Sequence, residues 1–339
     1  MSERLFVSVI VPAFNAGEYL GRCLGALSES GYENFEVLVV DDASTDGSAG
    51  ACRRKGGVIV LRLTRQSGPA AARNYGAREA RGDILFFVDS DVLVRNDTLS
   101  RVVAGFHRLP DIAAVFGSYD NEPGAENFLS QYKNLYHHFV HQRSSPEAST
   151  FWAGCGAIRR EAFESIGGFN ESRYAKPSIE DIELGDRLRR AGHRIFLDKE
   201  LQVKHLKHWS LASLIRADIF YRAVPWSKLL LENGEIINDL NLRKAERFSA
   251  GLAGLSLILL PLSILLPALL WLVLLCWLTV ILINRKLYLF FLRERGFLFA
   301  VAVFPLQLLY YIYSAAAFAW CWCSFRLGGL SARFSRQRG

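Results

Sequence analysis

The spacing of apolar and polar positions changes rhythm along the chain. In the first third, short β-branched and aromatic runs ("LFVSVIVPAF", "FEVLVV", "GVIVLRLT", "DILFFV") alternate with "GEYLGRCLGALSES" and "SGPAAARNYGAREARG". The runs predict buried strands, the first of the two longer stretches has apolar residues at helical spacing, and the second predicts a helix with small residues on one side. Continuous apolar strands separated by helices predict a parallel α/β sheet covered on both faces. Each strand then ends abruptly in polar residues: Pro12 and Asn15, Asp41 and Asp42, Asp89 and Asp91.

Past His208 the rhythm is different. "HWSLASLIRADIFYRAVPWSKLLLENG" mixes aromatic and aliphatic residues with Arg and Lys, as helices lying at a lipid interface do. Two blocks follow without a single charged residue, Phe248–Asn284 and Gly296–Phe325. Each exceeds the roughly 20 apolar residues that cross a bilayer. As one helix the first would be about 55 Å long, too much for a hydrocarbon core of about 30 Å, and Pro261 and Pro267 offer a place to fold it into a hairpin. The expected organisation is a catalytic-type domain over 1–208, interface helices over 209–247, a transmembrane region of two or three helices over 248–326, and a basic tail over 327–339.

Charge and cysteine content narrow the class. With 40 Lys and Arg against 33 Asp and Glu the net charge is +7, which raises the question of nucleic acid. The basic residues gather beside the apolar blocks, in "NRKLYLFFLRERG" and "RLGGLSARFSRQRG", where anionic lipid headgroups account for them better. A nucleic-acid partner is therefore not expected. Because the loop at 285–295 and the tail are both basic, the positive-inside rule does not decide the topology. The opening "MSERLFVSVIVPAFN" lacks the basic and long apolar regions of a secretory signal, so the first domain is expected in the cytoplasm and the chain in the cell (inner) membrane. The six cysteines have no zinc-type spacing.

The polar strand ends carry the candidate chemistry. Ligands of open α/β sheets gather at the carboxyl ends of the strands. No G-x-G-x-x-G follows the first strand and no Gly-rich loop ends in Lys-Ser/Thr, which argues against dinucleotide and P-loop sites. The pair Asp89 and Asp91 in "FFVDSDV" suits a divalent cation bridging to phosphate oxygens, with a strand-end cap as the plainer alternative.

Five segments, "VSVIVPAFNAGEYLGRCL", "FEVLVVDDASTDGS", "SGPAAARNYGAREARGDILFFVDSDV", "WAGCGAIRREAFESIGGFNE" and "SIEDIELGDRLRRAGHRIF", together resemble a family 2 glycosyltransferase with a GT-A, Rossmann-like fold, over about residues 6–208. The resemblance implies that Pro12, Phe14, Asn15, Glu18, Asp41 and Asp42 border the nucleotide of an activated sugar, a UDP- or GDP-sugar. By the same resemblance Arg73, Asn74 and Ser90 are expected near it, with a structural helix contact as the alternative for Arg73 and Asn74. It implies that Asp89 and Asp91 form a D-x-D motif holding Mg²⁺ or Mn²⁺, with His205 in "QVKHLKHW" a better match than His208 as a further ligand. In the same way, Asp181 becomes the general base and Glu180 its neighbour, where an acidic helix N-terminus is the structural alternative. "FWAGCGAIRR" is expected to form an acceptor-side wall with Trp152 and Gly154, the indole stacking on a sugar or serving the core. His137 and His141 share a helix face but lack an acidic third ligand for zinc. Arg222 and Trp226 only distantly echo the acceptor motif of processive synthases. The expected activity is inverting, metal-dependent transfer to a hydroxyl of a lipid or lipid-linked saccharide. A polyprenyl-phosphate acceptor and a non-catalytic nucleotide-sugar-binding scaffold are the alternatives.

Overall fold

The computed structural model describes residues 4–48, 50, 57–234 and 243–336, the last nine of these by backbone alone. Cys52, residues 235–242 of the expected interface segment and the side chains of the tail beyond Leu327 lie outside the described residues. The chain divides into two compact units, Met1–His208 and Trp209–Gly339.

Unit one is built on one twisted sheet of eight strands. In chain order these are β1 (Val7–Ala13), β2 (Phe35–Asp41), β3 (Val58–Arg62), β4 (Ile84–Val88), β5 (Val92–Leu93), β6 (Ile112–Tyr119), β7 (Cys155–Arg159) and β8 (Arg194–His205). Across the sheet the order is β3-β2-β1-β4-β7-β6-β8-β5. The half from β3 to β4 is parallel, as the apolar runs predict. The other half departs from an all-parallel sheet: β7 runs antiparallel to both β4 and β6, and β5 antiparallel to β8. A mixed sheet results, and the reason is that burial on both faces erases the alternation by which an antiparallel strand announces itself.

Helices cover the sheet where their sequence allows close approach. α1 (Gly17–Ser28) buries Leu20, Cys23, Leu24 and Leu27, a three- and four-residue spacing. α2 (Pro69–Glu79) presents Ala70, Ala71, Ala72, Gly76 and Ala77, so its axis lies tight on the strands. A Cβ at Gly76 would stand 2.6 Å from Ile10 Cγ2. α3 (Thr98–Arg108), α4 (Phe128–Arg143), α5 (Arg160–Ser165) and α6 (Glu180–Arg190) complete the unit. The core joins both ends of the sheet through Phe86, Val88, Val92, Phe106, Val115 and Leu201.

Unit two is helical. α7 (Leu211–Arg216) begins with a reciprocal Ser210–Ser213 capping box and runs through a π-helical turn, Ala217–Ala223, into α8 (Val224–Asn233). The remaining helices are α9 (Lys244–Leu262), α10 (Leu269–Ile283), α11 (Arg285–Arg295) and α12 (Phe297–Arg336). Among the described residues, Lys244–Leu262 and Phe297–Leu327 are long and apolar enough to cross a membrane. α10 and α11 meet that test only together, and they are bent 71° at Asn284.

One glycine governs how α6 seats. An ideal Cβ on Gly185 would lie 2.6 Å from the carbonyl carbon and 2.8 Å from the Cα of Thr150. Gly185→Ala should cost about 1–3 kcal/mol through overpacking and lower the Tm of the detergent-solubilised chain. Gly25→Ala, in α1 with nothing within 4 Å of its Cβ, should leave Tm unchanged or raise it.

Candidate active site

β1, β2 and β4 are parallel neighbours, so their carboxyl ends open on one edge of the sheet. The loops leaving that edge are tied to one another. Asn15 adopts φ 47° and Ala43 φ 57°, conformations that bend both loops sharply. Asn15 N–H donates to Ser44 Oγ (3.0 Å) and its Oδ1 accepts from Thr45 N–H (2.8 Å). Asp42 N–H donates to Ala13 O (2.8 Å), fastening the end of β2 to the end of β1. Phe14 and Glu18 stand exposed at the rim, and Pro12 sits half-buried within β1.

The two acids after β2 have different duties. Asp42 is buried and accepts N–H bonds from Ser67 (2.6 Å) and Gly68 (2.8 Å), one on each carboxylate oxygen. Burial pushes its carboxyl above the usual range while those two donors pull against it. Asp42 therefore braces the entry to α2. Asp41 Oδ1 accepts from Ser44 N–H (2.8 Å) and its Oδ2 lies 3.5 Å from the exposed Arg62. Asn74 is likewise a brace: its amide accepts from Phe169 N–H (2.9 Å) and donates to Phe169 O (2.8 Å).

Arg73 occupies the centre. Its side chain is buried, and its two terminal nitrogens donate to Asp89 Oδ1 (2.7 Å) and Glu180 Oε1 (2.8 Å). The guanidinium also lies 5.5 Å from the Phe169 ring centroid. One cation thus joins the acid after β4 to the acid at the start of α6, and Arg73 itself is 107 residues from Glu180 in sequence. Burial opposes the charge on Arg73, but Asp89, Glu180 and Asp181 together raise its pKa and keep it protonated. The family resemblance implies a place for Arg73 near a nucleotide; its link to both acid pairs is a tertiary fact with no local signal.

Asp181 is the acid that Arg73 does not neutralise by contact. It stands in the first turn of α6, where Oδ2 accepts from Ala153 N–H (3.2 Å) and Oδ1 from Ile182 N–H (2.8 Å). Burial, then repulsion from Glu180, pushes its carboxyl up to about 7, with Arg73 pulling the other way. Such a carboxylate is basic enough to take a proton near neutrality. Trp152, next to Ala153, is half-buried rather than freestanding. Its indole folds over Gly154, whose Cβ would fall 2.6 Å from two of its ring carbons, and packs edge-on against Tyr119 (4.8 Å).

The D-x-D pair is asymmetric. Asp89 is ringed by protein yet keeps 34% of its side-chain surface open. Burial raises its pKa, Arg73 lowers it and Asp91 raises it. Burial also works against Asp91, but His205 beside it brings the carboxyl down to about 2. The β5–β8 ladder creates that neighbour: Val92 pairs with His205, and Leu206 N–H donates to Asp91 O (2.8 Å). His205 Nε2 stands 3.5 Å from Asp91 Oδ2, and its ring stacks on Tyr119 at 4.2 Å. Ser90 is half-buried between the two aspartates. Among the described residues, no group of three His, Cys, Asp or Glu side chains converges for a metal ion. Asp91 Oδ2 and His205 Nε2 lie side by side as two possible ligand atoms, while one Asp89 oxygen is already engaged by Arg73. This fits Mg²⁺ or Mn²⁺, which commonly bind to one or two protein carboxylates and complete the shell with substrate phosphates and water. The His137 and His141 rings lie 4.1 Å apart within α4, tilted by 48°, without forming such a group.

An open-edged mixed sheet with paired acids at its strand ends defines a GT-A-type domain. Residues 8–167 match the family described as glycosyl transferase family 2, and residues 133–209 match one described as N-terminal domain of galactosyltransferase. Over residues 8–167 the chain is thus similar to glycosyltransferase family 2. It is 34% identical over 125 residues to glycosyltransferase GlyG of Streptococcus pneumoniae, covering 36% of this chain and 40% of that protein. It is 30% identical over 227 residues to the pre-mycofactocin glycosyltransferase of Mycobacterium tuberculosis, covering 63% of this chain and 46% of that one. It thus spans less than half the length of these curated relatives. In fold it is similar to the mannosyltransferase PcManGT of Pyrobaculum calidifontis, solved with GDP-Man and Mn²⁺ (TM-score 0.59, 21% identity, 94% of this chain and 88% of that one). It is also similar to residues 1–349 of S. aureus TarS, solved with UDP-GlcNAc (TM-score 0.53, 21% identity, 72% of this chain and 70% of that one).

The buried bridge predicts a stability effect. Arg73→Ala should cost on the order of 3 kcal/mol, because it leaves Glu180 buried without its partner. Arg101→Ala, which removes the exposed 2.6 Å pair with Asp97, should cost about 0.5 kcal/mol or less. Urea unfolding of the solubilised chain reads both.

Proposed function

We propose that the protein moves a sugar from a nucleotide-sugar donor to a hydroxyl of a lipid, or of a saccharide carried by a lipid, at the cytoplasmic face of a membrane. Asp181 carries the reading: a half-buried carboxylate held at about 7 and oriented by two N–H donors suits an acceptor hydroxyl, not a phosphate that is already anionic. In a single displacement the acceptor oxygen bonds to the anomeric carbon and its proton passes to Asp181. The bond from that carbon to the diphosphate breaks with its electron pair, and the configuration inverts.

On the donor side, the loops bearing Phe14, Asn15, Glu18 and Asp41 form the nucleotide border, with Asp42 and Asn74 fixing its walls. Asp91 and His205, with the free oxygen of Asp89, would hold a divalent cation. Such an ion neutralises charge on the departing diphosphate, favouring the transition state over the ground state. The two fold relatives were solved with nucleotide sugars, one together with Mn²⁺, which supports this assignment. Trp152 and Gly154 border the acceptor. The long apolar helices of unit two support a membrane-held acceptor.

Asp181→Asn should keep donor binding and lower turnover by about 10² or more. In the native protein kcat/KM should rise with pH through about 7 as Asp181 loses its proton, and the mutant should lack that limb. A steady-state pH series with a panel of nucleotide sugars measures both. Mild acid treatment of the product separates a stable glycoside, as expected, from an acid-labile glycosyl phosphate, which would restore the polyprenyl-phosphate reading. Asp91→Ala should abolish transfer and the Mn²⁺-dependent tightening of nucleoside diphosphate binding, read by calorimetry with and without EDTA. Full activity in EDTA overturns the metal assignment.

A further inference from the structure

α9 and α10 are antiparallel arms whose open ends meet at a polar contact, Asn284 Nδ2 donating to Ser249 Oγ at 2.9 Å. Tyr311 Oη donates to Asn284 Oδ1 (3.2 Å) and to Glu246 (2.8 Å), so this end of the pair holds its polar groups together. Arg243, Lys244, Arg247, Arg285 and Lys286 flank it in sequence. Beyond Phe248 no charge appears until Arg285. From Ser249 to Leu262 the first arm rises roughly 20 Å, and from Leu269 to Asn284 the second returns roughly 22 Å. Counted from the Ser249–Asn284 contact, both arms fall short of a hydrocarbon core of about 30 Å.

The connecting turn has the chemistry of a segment that never meets water. Ile264 and Leu265 point outward at 82% and 78% exposure. The N–H groups of Ser263, Ile264, Leu265 and Leu266 donate to carbonyls of Leu259, Pro261 and Leu262 at 2.9–3.2 Å, and Pro267 has none to satisfy. Leu269, Leu270 and Trp271 N–H groups are bonded within the turn as well. The hydroxyls behave alike: Ser256 donates to Ala253 O, Ser263 to Leu260 O and Thr279 to Leu275 O, at 2.6–2.8 Å. Most N–H groups of the turn are thus bonded internally, as backbone in hydrocarbon requires.

We propose that α9 and α10 form a re-entrant hairpin that enters the bilayer and returns to the same face, its 263–268 tip ending among acyl chains. α9 alone has the length to cross, but its polar base and returning arm hold the tip short of the far surface. The inference rests on the membrane attachment proposed above, and it puts Lys244 and Arg285 on one side of the membrane.

The test uses the full chain with its cysteines replaced, carrying either Ser263→Cys at the tip or Ser172→Cys on the exposed surface of unit one, in sealed membrane vesicles of both orientations. With a membrane-impermeant maleimide, Ser172→Cys should react in one orientation only, and Ser263→Cys in neither until detergent is added. Tip labelling opposite to Ser172→Cys means a crossing hairpin, and labelling on the same side means no insertion; either overturns the proposal and leaves membrane attachment standing. Recovery of the chain in the carbonate-soluble fraction overturns attachment itself.

Discussion

A single buried guanidinium holds the candidate site together. Arg73 touches Asp89 after β4 and Glu180 at the start of α6, two segments that nothing in the chain's local order brings near each other. Around it sit four carboxyl groups whose mutual repulsion would otherwise drive some of them neutral. With one cation between them, the charges divide unevenly: Asp91 is low beside His205, Asp181 is high beside Glu180. In the proposed reaction, that division lets one edge of the sheet face a diphosphate and also carry a proton acceptor.

The surrounding residues serve mainly as braces. Both carboxylate oxygens of Asp42 and both amide heavy atoms of Asn74 bond to main-chain atoms of the neighbouring loops. Gly154 and Gly185 admit the Trp152 indole and the 150–151 backbone at distances a Cβ would forbid. These contacts set where Ala153 N–H points, and through it the orientation of the Asp181 carboxylate. In unit two the same rule of satisfied polar groups appears in an apolar setting, with Asn284 gathering Ser249 and Tyr311.

Much of this was legible in the chain. The apolar runs mark β1 to β4, the small residues of α2 announce close packing, and the paired acids mark the strand end after β4 and the first turn of α6. The charge-free stretches mark the apolar helices, because bilayer length and hydrophobicity are properties of a continuous segment. What escaped were relations between segments. Strand direction escaped, since β7 is apolar on both faces whichever way it runs. So did the division of labour within D-D and R-N: Asp42 and Asn74 became braces because of the loops they happen to face. His205 meets Asp91 only through the register of β5 on β8, and Arg73 reaches Glu180 only because the sheet order folds distant segments onto one edge. Sequence by itself determines the period, polarity and chemical kind of each segment, which are local quantities. The partner of each charge, and hence its pKa and its role, was decided by tertiary structure, because Coulomb and desolvation energies depend on distances that chain order does not contain.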